Sequence, residues 1–451
     1  MTGISHSPSV RARRALEALR AGVPNRDAVV ELGSMQVGVE DRFAEILEAV
    51  GAGSTELPAT ASSLVTSPAR SATRAMLIGG GFGTGKSHLL EHLANMALSQ
   101  GFVVSKVVVS KETPLHDPAK VFRAAIDEAR VPGRPGSAID EIAIAVDLNS
   151  PAYRVLYRWV NRDESPVDSQ FAATLYLFEY ARGDDEFRDR ILRFWAGDKL
   201  SVTEIRQRLR EHGAAASYRI ASVREGDLSR QRFRFVSRLA RAAGYRGWLV
   251  LFDEVELIGR YTIGQRAKSY AEIARWVKGD REDLDAPIGA VLATVDDYET
   301  QVLEGKNDLE LVPKRLRALE TEAGDLQATL AEAGMRIISH EQVKLQPPAQ
   351  DELDRTYSRL KEIHGQAFGW EPPEVPGLER LPSNRMRQYV RAWINEWDLV
   401  RLDPSYQPDI ESDALEVDLS EDSGLEAEES NDADGGVGDS ATPDSAAPLV
   451  E

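Results

Sequence analysis

Apolar residues in this chain fall into two kinds of pattern: helical stripes over most of its length, and a few short continuous runs between them. Between residues 8 and 50, Leu16, Leu19 and Val23 share one stripe, and Phe43, Ile46, Leu47 and Val50 share another. The break near Gly22, Pro24 and Asn25 predicts two short helices there. A connector rich in Ser, Thr, Ala and Pro follows over roughly 51 to 73. Ala75 to Ile78 then reads as a short buried strand, and Leu89, Leu90, Leu93, Ala94 and Ala97 as one face of the helix after it. Phe102 to Val109 is β-branched and nearly unbroken, which predicts a strand covered on both faces. Residues 111 to 246 look mostly helical, Trp248 to Phe252 and Ile288 to Val295 are two further strands, and helical spacing returns from 336 to 408. That last stretch closes on Met386, Val390, Trp393, Ile394 and Trp397, a clean amphipathic stripe.

Strands that alternate with helices in this way predict an α/β domain around a parallel sheet. The expected organisation is an N-terminal helical segment and connector (1–73), a core (74–335) carrying a large helical insertion at about 111–246, a C-terminal helical lid (336–408) and a tail (409–451).

Composition changes this picture at two points. The tail holds fifteen Asp or Glu and neither Lys nor Arg, so most of the net charge of −19 sits there and the rest of the 451 residues are nearly balanced. With no aromatic residue, the tail cannot bury enough apolar area to offset its ordering entropy and is expected to be disordered. The chain has no cysteine, which excludes disulfides, cysteine zinc sites and thiol chemistry. The start lacks the apolar core of a signal peptide and no stretch approaches about 18 uninterrupted apolar residues, so a cytoplasmic protein without membrane contact is the expectation.

The candidate chemistry lies between the first strand and its helix. Gly80, Gly81, Phe82, Gly83, Thr84, Gly85, Lys86 and Ser87 satisfy G-x-x-x-x-G-K-[ST] at every required position, in the strand–loop–helix context the motif needs. Glycines let backbone N–H groups converge on phosphate oxygens, and the following helix points its positive end at the same anion. Lys86 is expected to reach the β- and γ-phosphates of ATP, Ser87 to ligate Mg²⁺, and His88 to border the nucleotide. A dinucleotide G-x-G-x-x-G fails here, because each candidate third glycine is replaced by Thr84, Lys86 or His88. His88, Glu91 and His92 match H-x-x-E-H, a zinc pattern, but on the helix behind the phosphate loop they read as ordinary helix positions.

A second half of the site comes from the strand that ends in Asp253 and Glu254: an acid there can hold the Mg²⁺ shell and the next can polarise the attacking water. Asp253 is the metal candidate, and Glu254 the catalytic one. Thr294, at the end of the neighbouring strand, is the candidate sensor of the γ-phosphate. Arg385 and Arg387 open the last helix after Ser383 and could reach nucleotide from the lid, while Arg315 and Arg317 could act in trans in a homo-oligomer. Arginines 230, 232, 234, 238 and 241 interleave with Phe233 and Phe235, a composition able to contact nucleic acid. A buried helix with an arginine face is the favoured reading there, and direct DNA binding stays open.

The segments RRALEALRAGVPNRDAV (13–29), GGGFGTGKSHLLEHL (79–93), LFDEVE (251–256), HGQAFGW (364–370) and RMRQYVRAWINEWD (385–398) together resemble the P-loop ATP-binding proteins of BREX-type phage-defence loci. That clade is similar to origin-recognition-type AAA+ ATPases, and the resemblance spans roughly residues 8 to 405. Size and the single ATPase module look most like the small ATP-binding component of the type 2 systems. The resemblance implies a P-loop NTPase fold of AAA+ type, Walker roles for Lys86, Ser87, Asp253 and Glu254, and work in a multi-protein defence system, with a helicase among the candidate partners. Two function classes follow: an ATPase that remodels DNA or a DNA-bound partner, and an ATP-gated signalling or scaffold switch with slow turnover.

Overall fold

The computed structural model describes residues 7–22, 25–52, 73–180, 183–279, 286–375 and 386–406. The acidic tail, Val23, Ser383 and Arg385 therefore lie outside the described residues.

Five strands form one parallel sheet in the order β2-β3-β4-β1-β5, with β1 Ala75–Gly79, β2 Val103–Val108, β3 Trp248–Asp253, β4 Ile288–Thr294 and β5 Val343–Lys344. Because side chains alternate along a strand, each strand feeds two cores. Ala75, Leu77, Trp248, Val250, Phe252, Ala290 and Leu292 point to one. Met76, Ile78, Leu249, Leu251, Val291 and Ala293 point to the other. Double burial explains why these strands read as continuous apolar runs.

Chain direction sets which helices cover which face. The crossover from β1 to β2 runs one way across the sheet and the later crossovers run back, and right-handed connections in opposite directions lie on opposite faces. Accordingly α4 (Lys86–Ser99) covers one side together with α3 (Val37–Gly51), where Phe43, Ile46, Leu47 and Val50 meet Leu89, Leu90, Leu93, Ala94 and Ala97. The helical insertion occupies the other side: α5 (Pro118–Asp127), α6 (Ala138–Ala145), α7 (Pro151–Val160), α8 (Ser169–Tyr180), α9 (Asp185–Trp195), α10 (Val202–Glu211) and α11 (Glu225–Ala242). It is joined there by α12 (Ile263–Lys278), α13 (Asp308–Arg317) and α14 (Glu322–Arg336).

The N-terminal stretch holds three helices where the apolar stripes predict two. Asn25 caps α2 (Arg26–Leu32) after α1 (Pro8–Ala21), and a second break follows at Gly33, whose φ of 72° and ψ of −157° end α2 before α3 begins. α1 and α2 do not stand alone. Ala12, Ala15, Leu16 and Leu19 pack on Leu360, Ile363, Tyr389, Trp393 and Trp397 from α15 (Gln350–Phe368) and α16 (Met386–Leu402), so helices far apart in the sequence build one small helical unit. β5 falls inside the stretch that hydrophobic spacing reads as helical; two residues are too few to show a period.

Arg232 and Arg234 of α11 are buried, and Arg230, Arg238 and Arg241 are half-buried. Arg232 is fully buried and donates to the carbonyls of Phe194 and Asp198 while pairing with Glu225. Arg234 donates to the Pro166 carbonyl, Arg238 lies 4.1 Å over the Trp159 ring, and Arg241 donates to carbonyls at Val50 and Gly51. The buried-helix reading of this segment holds.

Candidate functional site

The phosphate loop leaves the C-terminal end of β1 and turns into α4 through two left-handed glycines, Gly83 (φ 80°) and Gly85 (φ 97°), at positions a side chain would strain. The Gly80 N–H donates to the Thr294 carbonyl (3.2 Å), which fixes the loop's entry against the end of β4. Thr294 itself is buried and sits opposite Gly79 in the sheet register. Lys86 is buried, and its Nζ donates to the carbonyl of Gly80 (2.8 Å) and lies 3.4 Å from that of Gly81.

The two halves predicted from far-apart segments meet. Lys86 Nζ stands 3.6 Å from Oε1 of Glu256, two residues past Glu254. Asp253 is buried at the end of β3, with Oδ1 accepting from the Glu254 N–H (3.1 Å) and Oδ2 paired with Lys106 of β2 (3.2 Å). Glu254 adopts a left-handed backbone (φ 59°), which costs a non-glycine residue on the order of 1 kcal/mol and concentrates at functional sites. Burial first, and the Asp253 charge second, push its carboxyl above the ordinary value, against the pull of Lys86, Lys106 and Arg387. Glu256 is more deeply buried still. Desolvation pushes it up to about 7 despite Lys86, and its Oε2 has no hydrogen-bond partner among the described residues.

The helical unit of α1, α2, α15 and α16 borders this edge. A cleft runs from Lys86, Glu254 and Glu256 past the loop to apolar groups of α1, the α2–α3 turn and α16, among them Leu19, Leu32, Met35, Met386 and Val390. One polar end and one apolar end suit a ligand with a charged and an uncharged half. Arg387 joins the parts: its backbone N–H donates to the Gly83 carbonyl (3.3 Å), its guanidinium donates to the Ala21 carbonyl at the end of α1 (3.3 Å), and the same group lies 5.8 Å from the Phe82 ring centre. Gly22 makes room for it. A Cβ there would stand 2.2 Å from the guanidinium, at a φ of 72° that also disfavours one.

His88 lines the same cleft as the loop, its Nε2–H donating to the Gly33 carbonyl (2.7 Å), and burial lowers its pKa. The other candidates separate. Glu91 pairs with Arg130 and His92 with Glu40, so the H-x-x-E-H residues point three ways, and no group able to hold a metal by itself occurs among the described residues. Arg317 pairs with Glu332 on an exposed edge, and neither it nor Arg315 lines the cleft. Lys106 and Glu256 are the site neighbours that pattern reading passes over. Lys106 had a signal, a lone charge inside the apolar run from Phe102 to Val109, and Glu256 had a weaker one, a third acid directly after the strand.

A family model described as "BREX system ATP-binding protein BrxC/D" matches residues 8–145 and 160–398. No curated protein and no solved structure matches the chain.

Proposed function

The chain belongs to the BREX system ATP-binding protein BrxC/D family, and from that premise we propose that it is an Mg²⁺-dependent P-loop ATPase of AAA+ type, acting in phage defence by remodelling DNA or a DNA-bound partner. The observation that carries this reading is Lys86 of the phosphate loop standing among the acids at the end of β3, brought there from some 170 residues along the chain.

In this reading the N–H groups of residues 80–87 and the start of α4 bind the phosphates, and Lys86 reaches the β- and γ-oxygens. Ser87 and Asp253, a hydroxyl and a buried carboxylate, are the hard oxygen donors that would hold Mg²⁺ with waters and phosphate oxygens. Bound there, the ion supplies charge neutralisation on the β- and γ-phosphates. Glu254 orients and polarises the attacking water; its raised pKa favours accepting a proton. Thr294, at the end of β4 where the loop enters, is assigned the γ-phosphate sensor role in this reading. The apolar end of the cleft accepts the base, and Arg387, whose field already reaches Glu254, is the lid cation beside the phosphates.

Replacing Glu254 with Gln tests the central role: MgATP binding is retained and turnover falls by about 10²-fold or more. Normal turnover by that variant contradicts it. A second reading, an ATP-gated switch with slow turnover, is favoured by Arg387 bridging loop, lid and α1, since ligand at the loop would then be felt by the helical unit. Steady-state hydrolysis with and without duplex DNA separates the two: stimulation supports remodelling, and indifference to DNA with ATP-dependent assembly supports the switch.

A further inference from the structure

The Lys86 ammonium has more claimants than the phosphate-loop role alone explains. It donates to the Gly80 carbonyl, lies near that of Gly81, and faces Glu256 Oε1 at 3.6 Å. Glu256 does not sit on the surface. It is 3 % exposed, on the 3-10 turn Val255–Arg260 behind the end of β3, and it lines the same cleft as the loop. Lys86 is the cation paired with it, and its second oxygen has no hydrogen-bond partner among the described residues. A carboxylate so placed is tolerable because a positive charge stands beside it.

A triphosphate gripped by this loop would ask for the same ammonium. It would also bring several negative charges to a site that already holds Asp253, Glu254 and Glu256. Whatever Lys86 gives to the phosphates is withdrawn from Glu256, and in a site shielded from water that withdrawal is felt strongly.

We propose that Glu256 is a positioning residue which holds Lys86 as a counter-charge and competes with the triphosphate for it, so that Glu256 sets how tightly nucleotide binds. This rests on the phosphate-loop reading above. Neutralising Glu256 frees Lys86 and removes a repelling charge, and nucleotide then binds more tightly. A residue that merely packed the turn would have the opposite effect when altered, because damage to the loop's support weakens binding.

The test is calorimetric titration of the full chain at pH 8 with MgATP, and separately with inorganic triphosphate and magnesium, for the wild type, Glu256→Gln and Glu256→Asp. Expected is binding about tenfold tighter for Glu256→Gln with both ligands, and Glu256→Asp, which keeps the charge, within about twofold of the wild type. Unchanged or weaker binding by folded Glu256→Gln overturns the proposal. If Glu256→Gln does not fold, Glu256→Met, neutral and of similar volume, takes its place with the same expected gain. Failure of the wild type to bind either ligand would instead overturn the phosphate-loop reading, which the comparison of variants keeps distinct.

Discussion

Arg387 of the last helix and Gly83 of the phosphate loop are joined by a hydrogen bond from the Arg387 N–H to the Gly83 carbonyl, and the guanidinium of the same residue reaches the end of the first helix. One residue thereby ties α1 and α16 to the loop.

This tie can be broken from the α1 end of the cleft, with the phosphate loop left intact. Gly22→Val places a branched side chain where the Arg387 guanidinium lies, and at a positive φ. The expected result is a stability loss of about 1–2 kcal/mol, together with weaker MgATP binding that Arg387→Ala reproduces. Thermal melts and titrations of both variants check it. A Gly22→Val protein that binds like the wild type, with Arg387→Ala impaired, would show that the α1 contact is dispensable.

Glu256 predicts a pH signature in stability. Its pKa is raised from an ordinary 4.5 to about 7, so the folded state holds a proton that the unfolded state releases. The contribution is fully present below about 4.5 and is lost as pH rises through about 7, an effect on the order of 3 kcal/mol. Denaturant melts between pH 4.5 and 8 should show this downward slope in the wild type and a flatter profile in Glu256→Gln. Identical slopes would remove Glu256 as its source.

The α11 arginines predict folding defects. Arg232 is fully buried, so Arg232→Ala leaves the Phe194 and Asp198 carbonyls and Glu225 unmatched and should destabilise by about 3–5 kcal/mol. Thermal unfolding checks this. A stable variant with selectively weaker DNA binding would return the segment to the nucleic-acid reading.

What the sequence made legible follows from how local each signal is. The phosphate loop and the strands β1 to β4 were readable because a fixed motif and doubly buried runs are written in consecutive residues. The pairing of Asp253 and Glu254 with that loop needed only the rule that strand ends share one edge. Three features resisted. β5 is two residues long and shows no period; α1 and α2 reveal their partners only through packing on α15 and α16; and the Lys86–Glu256 and Lys106–Asp253 pairs form between elements whose register no single stretch encodes.

The most direct test of the account is equilibrium binding of MgATP to the full-length wild type and to Lys86→Ala. The wild type is expected to bind saturably with one nucleotide per chain, and the variant at least about a hundredfold more weakly, the scale of a lost charged contact to phosphate. Absence of saturable binding of ATP or GTP by the wild type in magnesium buffer, or equal binding by the two proteins, would contradict it.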